Sequence, residues 1–153
     1  MHARASRDSI SFPRFANVRR QGRVEPALRA LSQTNWGTLE MVGEESEYVR
    51  SINDAVQQYI PAVRELLSAL YFRNFCDKFA AMFLPAFYET VLHVKRINEM
   101  GTHQLLLDLH NLKTLMLQLP TIGLDTSSDG APSAPLSYTK FVTRHMARVE
   151  MVR

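Results

Sequence analysis

Between residues 44 and 151 the apolar side chains recur in steps of three and four, interrupted by a few prolines and glycines. That spacing puts them on one face of a helix. Val49, Ile52, Val56, Ile60, Val63, Leu67 and Leu70 form the first such run, widened by Tyr48, Tyr59 and Leu66. Ser46 stands where a helix cap belongs. Pro61 falls inside the run and predicts a kink or break, since proline removes a hydrogen bond and crowds the preceding turn. The second run is YFRNFCDKFAAMFLPAF, residues 71–87. Phe72, Phe75, Phe79, Met82 or Phe83, and Phe87 share one side, and Arg73, Asp77 and Lys78 lie opposite. A helix bent at Pro85 and ending near His93 is predicted. Gly101 then predicts a break. Leu105, Leu109, Leu112, Met116 and Leu119 make a third stripe, with Leu106, Leu107, Leu115 and Leu117 broadening it and Pro120 stopping it. Residues 120–137 read as a polar loop rich in Gly and Pro. A fourth helix starts near Tyr138, with Ser137 as its cap, and places Phe141, Val142, His145 or Met146, and Val149 on one face. Hairpin signals do not occur, so the fold class is all-α.

The aromatic block has a packing purpose on this reading. Each large apolar side chain contributes roughly 1.5–3 kcal/mol when fully buried. Cys76 lies beside the phenylalanine face and reads as a small buried hydrophobe. The longest nearly unbroken apolar run is residues 80–88, which is short against the roughly 20 residues of a membrane helix. The opening residues lack the apolar block of a secretory signal. One cysteine makes neither an internal disulfide nor a cysteine-based zinc site. These features together suggest a reducing, cytosolic setting.

Charge is unevenly spread. Residues 1–36 carry seven arginines against Asp8 and Glu25, whereas residues 37–153 carry 11 basic and 13 acidic side chains. The basicity belongs to the head, and a near-neutral body argues against an electrostatic grip on nucleic acid. Residues 1–35, without sustained periodicity, read as a disordered basic head. The alternative for this segment is a mitochondrial address or an anionic contact, which would make the chain a mitochondrial or nucleic-acid-associated helical protein. Residues 36–153 read as one partial helical bundle, with Trp36 as the anchor of the segment before it.

Catalytic constellations are hard to assemble from this sequence. His103 and His110 could share a face, with Glu99 and Asp108 near them, and a metal-dependent helical enzyme would use such groups. Against it, Gly101 is expected to separate Glu99 from the helix, and no HExxH or ExxH pair occurs. Asp108 and His110, two residues apart, point to different faces. Phosphate-cradling glycine loops, nucleophile elbows and dinucleotide fingerprints do not occur. The expectation is a non-enzyme without catalytic residue, cofactor or metal.

Four blocks, in order, resemble the C-terminal region of the vacuolar protein sorting-associated fifty-three family. They are W-x-x-L-x-x-V-G-x-x-S-x-Y-V from Trp36 to Val49, the aromatic block, QLLLDLHNLKTLMLQLP from Gln104 to Pro120, and SYTKFVTRHMARVEM from Ser137 to Met151. The third and fourth are the most specific. His103 stands where the resemblance leads one to expect a glutamate.

The resemblance implies a subunit of the GARP and EARP complexes, multisubunit tethers acting in retrograde vesicle transport from endosomes to the trans-Golgi network and at recycling endosomes. It implies a rod of stacked helical bundles of the CATCHR type, truncated here at the C-terminus and lacking the family's N-terminal coiled-coil region. Its partners would be the other tether subunits, SNAREs and small GTPases. Its place would be the cytosolic face of trans-Golgi and endosomal membranes, peripherally through the complex, and the cytosol, with no nucleic acid. Scaffolding by exposed helix faces would be the mechanism. Asp108, Lys113, Lys140, Arg148 and Glu150 are the polar positions in the specific blocks expected to meet partners. A bundle cut short would also expose apolar faces and be poorly soluble alone.

Overall fold

The computed structural model describes residues 24–124 and 134–152. They form five α-helices and one short 3-10 turn, with no strand among the described residues, so the all-α expectation holds. The helices are α1 (Val24–Gln33), α2 (Glu47–Leu66), α3 (Ala69–Leu92), α4 (Glu99–Gln118) and α5 (Leu136–Val152). The 3-10 turn, Leu119–Thr121, follows α4 directly. Helix α3 packs against α1, α2 and α5, and α4 packs against α2 and α5.

Helix α1 corrects the sequence reading at residues 24–33. Val24, Ala27 and Leu31 are buried at steps of three and four. Three buried residues in a ten-residue helix make too short a pattern to stand out in sequence, and the neighbouring arginines mask it. Residues 1–23 of the expected disordered head lie outside the described residues.

The two internal prolines do not end their helices. Helix α2 runs through Pro61 and α3 through Pro85. The break comes at Leu67, whose backbone is extended, and Ser68 then caps α3 by accepting from the Tyr71 amide. Packing on both sides of each proline holds the helix where local propensity argues for a break.

Gly101 is a second correction. It sits in the first turn of α4, and Asn98 caps that helix by accepting from the Gly101 amide at 2.7 Å. A Cβ there would collide with the Trp36 carbonyl oxygen. The glycine serves close approach of two backbones, so Glu99 belongs to the helix. Helix α5 also starts earlier than expected, at Leu136, which places Ser137 inside it. Of the 120–137 loop, residues 125–133 lie outside the described residues. In the described part, Gly123 takes a positive φ of 84° beside the Pro61 ring.

The core follows the predicted stripes. Ile52, Val56 and Ile60 from α2, Phe79, Phe83 and Phe87 from α3, Leu105, Leu109 and Leu112 from α4, and Val142, Met146 and Val149 from α5 are all buried. Along α3 the rings of Phe72, Phe75, Phe79, Phe83 and Phe87 stack in succession, with centroid spacings of 6.5, 6.3, 6.0 and 5.8 Å. Burial pushes the Cys76 thiol up to about 12, as befits an inert packed cysteine.

Candidate functional site

The polar side chains singled out in sequence fall into two places, one inside the bundle and one on its surface. Asp108 is inside, fully buried, contrary to its expected exposure. Its carboxylate accepts from the Ser46 amide at 2.9 Å, from the Ser46 hydroxyl at 2.6 Å and from the Gln104 side chain at 3.1 Å. Ser46 does begin α2, but its hydroxyl is turned to Asp108 and makes no side-chain cap bond. The acid is buried because it lies one turn from Leu105 and Leu112, at the edge of the buried stripe. That angular position was available in the sequence as a signal, but the identity of an aspartate outweighed it.

The Asp108 cluster belongs to a longer strap. Residues 34–46 cross α4 without regular structure, and polar side chains of α4 and its cap receive them. Asn98 donates from its side chain to the Leu39 carbonyl at 2.8 Å, and its amide donates to the Trp36 carbonyl at 3.0 Å. Gln104 donates to the Glu44 carbonyl at 2.9 Å, and Asn111 reaches the Glu45 carboxylate at 3.5 Å. Trp36 closes the strap at its start. It is buried, donates from its indole to the Leu31 carbonyl at 2.9 Å and meets Tyr48 edge-on. Burial raises the Tyr48 phenol well above its ordinary value, and the Asp108 charge adds to it. A buried anion surrounded by donors, facing a protonated phenol, is a structural lock. Substrate has no access to it.

Arg64 makes a second lock at the far end of α4. It donates to the Pro120 carbonyl at 2.6 Å and the Ile122 carbonyl at 3.0 and 3.2 Å, while its guanidinium lies 4.1 Å over the Phe72 ring. The cation thus satisfies carbonyls at a helix C-terminal end, where the dipole favours it. Sequence reading missed Arg64, because a last-turn arginine of one helix does not reveal which other helix it reaches.

The other candidate positions lie on the surface of α4 and α5. Lys113 pairs with Glu150 at 4.0 Å across the two helices. Lys140 is exposed, and the Arg148 guanidinium lies 4.9 Å from the centre of the Tyr88 ring. Burial lowers the His145 imidazole, and the Arg148 and Arg144 charges lower it further. Glu99 and His103 pair at 3.8 Å, exposed on one turn of α4. His110 is also exposed, and Asp108 is committed to Ser46, so the proposed histidine cluster does not converge. Among the described residues, no three His, Cys, Asp or Glu side chains are placed to share a metal. Nor is any described helix long and apolar enough to cross a membrane.

Comparison with known proteins supplies the relationship. The chain is 35% identical over 128 residues to vacuolar protein sorting-associated protein 53 A of Arabidopsis thaliana, covering 84% of this chain and 15% of that protein. It is 33% identical over 130 residues to the vacuolar protein sorting-associated protein 53 homolog of Caenorhabditis elegans, covering 84% of this chain and 16% of that one. The chain thus spans about one sixth of the length of these curated relatives. No protein-family model and no solved structure matches it.

Proposed function

We propose that this chain, which is homologous to the C-terminal region of the vacuolar protein sorting-associated protein 53 family, is a non-catalytic interaction segment of a multisubunit vesicle-tethering complex. The observation that carries the reading is the identity to two such proteins across 84% of the chain. The finer assignment goes with it. The complex is of the GARP or EARP type, and it captures endosome-derived vesicles at the trans-Golgi network or at recycling endosomes. The chain then sits peripherally on the cytosolic face of those membranes and works as a scaffold.

The way the polar groups are used supports this role. Asp108, Gln104, Asn98 and Arg64 are occupied in holding one chain segment to another. What remains outside is available for docking, and Lys113, Lys140, Arg148 and Glu150 are the positions proposed to meet other subunits, SNAREs or small GTPases.

Affinity purification of the tagged full chain from its own cells, with mass spectrometry of the recovered proteins, tests the proposal. Recovery of the other tether subunits is the expected result. Their absence, with the full-length relative recovering them in parallel, would refute it.

A further inference from the structure

Helix α5 presents an outer face lined with basic side chains. Tyr138, Val142, Met146 and Val149 are buried, which turns Lys140, Arg144 and Arg148 to the exposed side in one row at four-residue steps, with the Arg148 guanidinium resting over the Tyr88 ring of α3. The row spans roughly 12 Å. Like charges at this spacing repel each other, and no acid on α5 relieves them. The helix's only acid, Glu150, leans towards Lys113 on the α4 side. Asp77 of α3 is near the start of α5, close enough to Tyr138 to add to the rise of its phenol. Lys140 and Arg144 form neither an ion pair nor a hydrogen bond with any side chain among the described residues. Burial lowers the His145 imidazole first, and the neighbouring Arg148 and Arg144 charges add to that. Two large apolar side chains stand at the ends of the same face: Leu136 is 68% exposed and Met151 is 86% exposed.

We infer that the Lys140–Arg144–Arg148 row, with Leu136 and Met151 at its ends, is a docking surface for an anionic phospholipid bilayer. Two kinds of group are displayed together, and a bilayer interface accepts both. Lipid phosphates and carboxylates meet the cations, while the glycerol level receives the apolar tips. An acidic peptide would complement the cations and leave Leu136 and Met151 in water. Three cations give weak attachment, suited to orienting a bundle that other contacts hold near a membrane. A lipid contact here does not depend on tether assembly: the first is read with purified chain, the second from cell extract, so either can fail alone.

The test uses the purified full chain, sedimented with phosphatidylcholine vesicles with and without phosphatidylserine. The chain is expected to bind the phosphatidylserine vesicles, to leave the neutral ones free, and to be released by high salt. K140E/R144E is expected to lower binding roughly tenfold or more. The milder K140Q/R144Q should give a smaller loss, and circular dichroism should be unchanged in both variants. Failure to bind phosphatidylserine vesicles would overturn the inference. So would binding that survives K140E/R144E, which would assign the attraction to the arginines of residues 1–23. Binding of soluble polyglutamate without vesicle binding would also overturn it, in favour of an acidic protein partner.

Discussion

The aromatic spine of α3 is fully buried, whereas of the strap across α4 only Trp36 is, and the two are held by different physics. The spine is a run of phenylalanines whose rings stack at about one helical turn apart. Its contribution comes from removing apolar surface from water, is undirected, and grows with area. The strap is irregular chain, and irregular chain brings backbone groups that need partners if buried. Asn98, Gln104 and Asp108 supply some of them, and Trp36 adds an apolar plug at one end. The spine tolerates small shifts because any apolar neighbour serves. The strap tolerates few, because each donor meets one specific acceptor.

Substitutions can set the two regions against each other. Phe83→Ala should have the largest effect, a loss of about 3–5 kcal/mol in urea unfolding, because it deletes a fully buried ring from the middle of the stack. The whole bundle should weaken together, seen as one shifted transition by circular dichroism. Asp108→Ala should cost about 2–3 kcal/mol, since the Ser46 amide and hydroxyl and the Gln104 amide lose a charged acceptor. Here the damage should be local first. Trp36, the only tryptophan, should show a red-shifted emission at denaturant concentrations that leave the helical signal intact.

Gly101→Ala should come next, at about 1–3 kcal/mol, because its Cβ meets the Trp36 carbonyl and forces the strap off α4. A mild effect at this position would mean that strap and helix part easily. The smallest effect near neutral pH belongs to Cys76. Its folded thiol is raised to about 12, so folding favours the protonated form. The stabilisation is complete below the unfolded thiol value and is lost as pH rises from about 9 towards 12. Thermal melts over that range should therefore fall in wild type and fall less in Cys76→Ala, with the raised Tyr48 and Tyr138 phenols carrying the remaining slope.

The spine was legible in the sequence and the strap was not. Phe72, Phe75, Phe79 and Phe87 announce one face by their spacing alone, because a helix has a fixed period. The strap has no period, and its partners are about 60 residues away in the chain. For that reason local rules make Asp108 a surface charge, Gly101 a break, and residues 24–33 part of a disordered head. In each case a local rule was overridden by a contact with a distant segment. Lys140 and Arg148 are outside as expected, since charged residues opposite an apolar stripe face water whatever the bundle does.

Whether the strap is as firmly held as the spine can be measured by native-state hydrogen exchange. The Ser46 amide, which donates to Asp108, and the Asn98 amide, which donates to the Trp36 carbonyl, are the reporters. Opening free energies for these two amides that match those of the amides around Phe79 and Phe83 would show one cooperative bundle pinned by the polar lock, as the account predicts. Ser46 and Asn98 exchanging at rates close to those of free chain, with the α3 amides still protected, would contradict it.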